Sequence, residues 1–138
     1  MKGISKRQNQ LFLLSFFLIL IFAQCATGES KLHKQMKIEA ATVNMQCPIN
    51  LSNEIRLDSV SVLTPNIFKY NHTYLSDASV LDTVSFKDSL SAELIPQLKA
   101  IPQKTFFIEN NIVIEYSFKD RSNKYICKIS IDPEKLKN

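Results

Sequence analysis

Chemistry in this chain would have to come from few side chains. Its only imidazoles are His33 and His72. His33 lies among Lys31, Lys34 and Lys37 and reads as a solvated residue. His72 alternates with Tyr70 and Tyr74, so a strand would place all three on one face. With an acid and a Ser or Cys nearby, His72 could act as the base of a small hydrolase, although no Ser has the setting of a nucleophile elbow. The thiols are Cys25, Cys47 and Cys127, with no CxxC pair and no histidine close in sequence, which does not resemble a zinc site. An inward Cys127 flanked by Tyr125 and Ile129 would keep its proton and be inert. The carboxylates Glu93, Glu109, Glu115 and Asp120 come singly, without the pairing of a general acid and base. Gly3 and Gly28 are the only glycines, which leaves no glycine-rich phosphate loop. The residues therefore point to no catalytic set, cofactor or metal. They favour a non-catalytic module that binds a partner through its sheet or through the aromatic face of Tyr70, His72 and Tyr74, with a hydrolase using His72 and a structural piece of an envelope assembly as alternatives.

The N-terminus says where such a module would work. Lys2, Lys6 and Arg7 come without an acid, residues 11–23 are apolar apart from Ser15, and small or polar residues follow from Gln24 to Ser30. This is the layout of a secretory signal, and the apolar run falls short of the roughly 20 residues a membrane span needs. Three products stay open. Ala26 and Gly28 allow a cut before Glu29, Ala23 and Cys25 a cut before Ala26, and Cys25 is itself a lipidation candidate, although Gln24 is atypical before such a cysteine. An uncleaved anchor is the remaining reading. The division is a signal peptide over 1–28 and one domain over 29–138, exported to the periplasm, the outer membrane or the medium.

Export changes the charge. The chain carries 17 Lys plus Arg against 13 acids, a net of +4. Losing Lys2, Lys6 and Arg7 brings it near neutrality, with no basic footprint for nucleic acid. The expected partner is an unknown protein or envelope component, with the membrane reached only through the leader or a lipid on Cys25.

An oxidising compartment makes Cys47 and Cys127 a disulfide candidate, worth about 4 kcal/mol for a loop of about 80 residues, with two buried thiols as the alternative. Asn71, followed by His72 and Thr73, is an N-glycosylation candidate on the polar side of its strand. Ser59, Thr83 and Ser89 each lie between an acid and an apolar residue, the short pattern that is O-glycosylated in exported proteins of Bacteroidetes.

The elements that hold these residues follow from periodicity. Leu32, Met36, Ala40 and Val43 predict a helix from Lys31 to about Met45, stopped by Pro48. Residues 55–62 read as a strand in which neither alternating set is cleanly apolar; Thr64, Pro65 and Asn66 form a turn, and the strand of Phe68, Tyr70, His72 and Tyr74 follows. Phe86, Leu90, Leu94 and Leu98 suggest a second helix, which Pro96 should end near Ile95. Thr105 to Ile108, then Ile112 to Lys119, then Tyr125 to Ile131 read as three strands of an antiparallel meander, closed by a turn at Asp132 and Pro133. The order helix, two strands, helix, three strands predicts a two-layer α+β fold: an antiparallel sheet of five strands with two helices on one face.

Asn44, Cys47 and Pro48, followed by Arg56, Leu57 and Asp58, then Tyr70, and later Tyr116, Phe118 and Asp120, give the chain a resemblance to small exported, Bacteroidetes-like bacterial envelope proteins. The resemblance covers most of residues 40–131. It implies a cell-envelope location and an α+β domain, and carries no catalytic residues to transfer.

Overall fold

A computed structural model describes residues 29–137. The leader and Cys25 lie outside the described residues. Helix α1 spans Lys31–Asn44, and the apolar recurrence that predicts it turns Met36 and Ala40 into the core. Strands β1 (Ile49–Asn50), β2 (Ile55–Leu63) and β3 (Ile67–Tyr74) follow, then a 3-10 turn at Ala78–Val80, α2 (Thr83–Ala100), α3 (Lys104–Glu109), β4 (Val113–Lys119), β5 (Tyr125–Ile131) and a 3-10 turn at Pro133–Leu136. The expected α+β class and five-stranded sheet are present, with one helix before the strands and helices between the two strand groups.

The sheet runs in the order β1-β2-β3-β4-β5 and is mixed rather than antiparallel throughout, because β3 and β4 lie parallel. The cause is the connection. Parallel neighbours need a long crossover, and α2 with α3 supplies it. The expected strand over Thr105 to Ile108 is part of α3, and the short β1 takes its place in the count. A run of four residues, three of them apolar, cannot separate strand from helix by period. Packing decides it: the helix buries Phe107 against Phe68, with ring centroids 6.1 Å apart, and the Asn110 side-chain amide donates to the Phe106 carbonyl at 2.9 Å.

Helix α2 also outruns its expected end, continuing past Pro96 to Ala100. The proline faces solvent, where water can satisfy the carbonyl it leaves unpaired, and Leu98 beyond it is buried. Its start is set by Asp82, whose carboxylate accepts from the Val84 N–H at 3.0 Å and the Ser85 hydroxyl at 2.7 Å.

The unclean alternation of β2 has a structural cause. The pairing jumps from Leu57 opposite His72 to Ser59 opposite Asn71, leaving Asp58 as the extra residue of a bulge. The bulge shifts the phase by one, so Leu57 and Val60 are both buried beneath the helices. Since β1 pairs only with Arg56 and Leu57, the outer edge of β2 beyond them has no strand beside it among the described residues. Asn44 at the end of α1 fills this place. Its amide donates to the Val60 carbonyl at 2.8 Å and its carbonyl accepts from the Val60 N–H at 2.6 Å. Asn44→Ala should therefore cost about 1–3 kcal/mol, because it strands two polar backbone groups, and urea unfolding will measure the loss.

The three helices of the described residues cover one face, where Phe68, Ile114, Phe118, Ile129 and Ile131 form the centre of the core. With both glycines outside the described residues, the left-handed turn positions fall to Asn111 (φ 50°) and Asn123 (φ 64°).

Candidate functional site

Strand β3 is central, with β2 on one side and β4 on the other, so Tyr70, His72 and Tyr74 project into the helix-covered layer. Parallel pairing sets Tyr70 beside Tyr116 and His72 beside Phe118. The rings stack at 5.1 Å for Tyr70 on Tyr116 and 4.8 Å for His72 on Phe118. Phe86 of α2 closes the layer edge-on against Tyr74 and Phe118. His72 is 3% exposed, and its Nδ1 has no hydrogen-bond partner. Burial lowers its pKa to about 4, and the neighbouring Ser117 and Tyr70 backbone and the Asp58 charge offset this only in part. A ring so enclosed is neutral at pH 7 and reaches no substrate, so the geometry gives His72 a packing role rather than that of a general base. Burial likewise raises the Tyr70 phenol to about 12 and the Tyr116 phenol further still.

The expected aromatic binding face is thus mostly interior, and on the helix-covered side Tyr70 opens onto a concave surface. There, a cleft of about 310 Å³ lies between α1 and α3, lined by Val43, Phe68, Tyr70, Ile101, Phe106 and Phe107, with Gln35, Glu39 and Gln103 also on its wall. Phe106 and Phe107 are not legible as cleft residues in the sequence, because residues 105–108 read as well as a strand as they do as a helix. Helical phase in residues 104–109 would have been the only local signal.

This fold recurs in solved bacterial proteins. One is a candidate secreted protein of Pseudomonas aeruginosa, with TM-score 0.67 and 14% identity, covering 82% of this chain and 99% of that one. Another is the pilotin EpsS of the Vibrio vulnificus type 2 secretion system, with TM-score 0.64 and 12% identity over 80% of this chain and 96% of that one. The type II secretion system pilotin AspS of Vibrio cholerae follows, with TM-score 0.58 and 8% identity over 78% of this chain and 94% of that one. No protein-family model and no curated protein matches the sequence. At these identities the shared property is the fold.

Cys47 and Cys127 are free thiols, so the expected disulfide is absent. Topology accounts for it. Cys47 lies two residues ahead of β1 at one edge of the sheet and Cys127 lies on β5 at the other, four strand spacings of about 4.8 Å away, well beyond the reach of a disulfide. Burial raises both thiol pKa values; the Asp58 charge adds to this at Cys47, while Lys87 opposes it at Cys127.

Of the glycosylation candidates, Thr83 and Ser89 are exposed on α2. Asn71 and Ser59 face each other across β3 and β2, the Asn71 amide donating to the hydroxyls of Ser59 and Ser61 at 3.2 Å each. Beside them Asp58 accepts from the Thr73 hydroxyl at 2.6 Å and from Arg56 Nε at 2.7 Å. Burial works against its charge, but these two hydrogen bonds and the Arg56 and Lys119 charges prevail and hold the carboxyl below its usual range.

Proposed function

We propose that this chain is an exported, non-catalytic interaction module of the bacterial cell envelope. Its cleft between α1 and α3 takes an apolar segment of an envelope protein. The observation that carries this reading is the cleft itself: Tyr70 and Phe106 offer aromatic surface to a ligand over a floor of buried Phe68 and Phe107, while His72 and Cys127 are withdrawn into the core. Aromatic residues in a concave wall are what a protein interface uses as anchors. The fold it shares with type II secretion pilotins supports a part in envelope assembly, and the Asn44, Cys47, Pro48 pattern supports a Bacteroidetes-like exported protein. The leader over 1–28 delivers the chain and is removed before Glu29. Intact mass of the exported protein tests this, since an acylated Cys25 or glycans on Thr83 or Ser89 would each add mass.

Photo-crosslinking tests the cleft. A benzophenone amino acid at Val43, in the envelope of the native host, should capture a discrete protein partner, and adding Phe106→Asp should abolish the capture. The same probe at Asp88 on the exposed side of α2 should capture nothing. Equal capture from both positions, or none from Val43, removes the cleft as the binding surface.

A further inference from the structure

The opposite face of the sheet is covered by no helix among the described residues, and its side chains form rows set by the register. Arg56, Thr73, Lys119 and Tyr125 make the first row; Ser59, Asn71, Ser117 and Lys128 the second; Ser61, Lys69, Glu115 and Ser130 the third. We propose that this face, at the end bearing the 120–124 turn, binds an acidic oligosaccharide. The inference is independent of the cleft between α1 and α3, which lies on the other side of the sheet.

Charge is the first argument. Asp58 is shared between Arg56 at 2.7 Å and Lys119 at 3.7 Å, and Glu115 between Lys69 at 3.4 Å and Lys128 at 3.1 Å. Each carboxylate is thus held by two cations, and each group of three keeps one positive charge in excess. Arg121 and Lys124 add cations on the adjoining turn, where Asp120 spends one carboxylate oxygen on the N–H groups of Ser122 and Lys124. A domain close to neutral overall therefore gathers its excess positive charge on one surface. The two groups lie four residues apart along the strands, about 13 Å, so a single ligand touching both must be oligomeric.

The groups between the cations are the second argument. The middle row presents the hydroxyls of Ser59 and Ser117 and the amide of Asn71, whose nitrogen is committed to Ser59 and Ser61, leaving its carbonyl oxygen for a ligand hydroxyl. A cleft of about 330 Å³ joins Asp58, Asn71, Ser117, Lys119 and Asn123 to Tyr125. Tyr125 is 64% exposed at the edge of the sheet and offers a flat apolar ring beside polar groups. Small hydroxyls, planar amides and an open aromatic plate match the alternating hydroxyl and C–H surfaces of a sugar ring, and the surplus cations match a carboxylate on it. A protein partner would want buried apolar anchors, which these three rows lack.

Isothermal titration of the exported protein with a hexamer of galacturonic acid tests the proposal, with maltohexaose and hexaglutamate as controls. The acidic sugar should bind about tenfold or more tighter than either control, a difference of about 1.4 kcal/mol. Tyr125→Ala and Lys119→Gln should each weaken it at least about fivefold, and the exposed Val84→Ser on α2 should leave it unchanged. Far-ultraviolet circular dichroism should be the same for all variants. Hexaglutamate binding as tightly would reduce the face to an unspecific basic patch and overturn the proposal. So would equal binding of maltohexaose, no binding at all, or binding indifferent to Tyr125→Ala. None of these outcomes touches the crosslinking result at Val43.

Discussion

Replacing Phe118 by alanine is expected to lower the free energy of unfolding by about 3–5 kcal/mol, seen as a lower urea midpoint at unchanged slope. Phe118 is 2% exposed on β4, its ring against His72 at 4.8 Å and Phe86 at 5.4 Å, with Cys127 opposite on β5. It joins the sheet to α2, so its loss leaves a cavity that neither layer can close without moving the other. A domain of this size has about 5–15 kcal/mol in all, which puts the variant at the margin of folding. Phe118→Leu refills most of the space and should recover about half of the loss. A cost below about 1 kcal/mol for the alanine variant would mean that the ring is not packed between sheet and helix.

The second large effect is acid sensitivity centred on His72. Its pKa is near 4 in the folded protein and about 6.5 in the unfolded chain. Between those values the unfolded chain binds the proton and the folded protein does not, so lowering the pH favours unfolding. The stability associated with the neutral ring is fully present above about pH 6.5, is lost as the pH falls, and levels off below about 4; the full difference is about 3 kcal/mol. His72→Phe keeps a ring in the stack with Tyr116 and Phe118, removes the unpartnered Nδ1, and should flatten the stability profile over that window. Parallel loss of stability in wild type and variant between pH 6.5 and 4 would place the acid sensitivity elsewhere.

Periodicity made the helix at Lys31–Asn44, the hairpin of β2 and β3 and the hairpin of β4 and β5 legible, because each is a run long enough to show its period. The pairing of β3 with β4 was not legible: strand order depends on where a crossover lands, and no local pattern records it. The Cys47 and Cys127 pair failed for the same reason, since compartment argues for bonding while topology puts the two on opposite edges. His72, Tyr70 and Tyr74 were placed correctly on one face, but alternation alone cannot say whether a face meets helices or solvent. The α1–α3 cleft joins Val43, Tyr70 and Phe106 across long separations and so exists only in three dimensions. The polar rows of the open face were half visible: the break in phase at Asp58 marks a bulge for a reader who expects one.

The missing glycines change what the chain surrenders on folding. Gly3 and Gly28 lie ahead of the described domain, and Asn111 and Asn123 take the left-handed positions in their stead. Asparagine pays a small steric penalty there, yet it wanders through far fewer backbone states than glycine once the chain comes apart. The denatured ensemble is correspondingly poorer in conformations, and a modest core has less disorder to overcome. Part of the fold's stability therefore resides in turns that are stiff even when nothing packs against them.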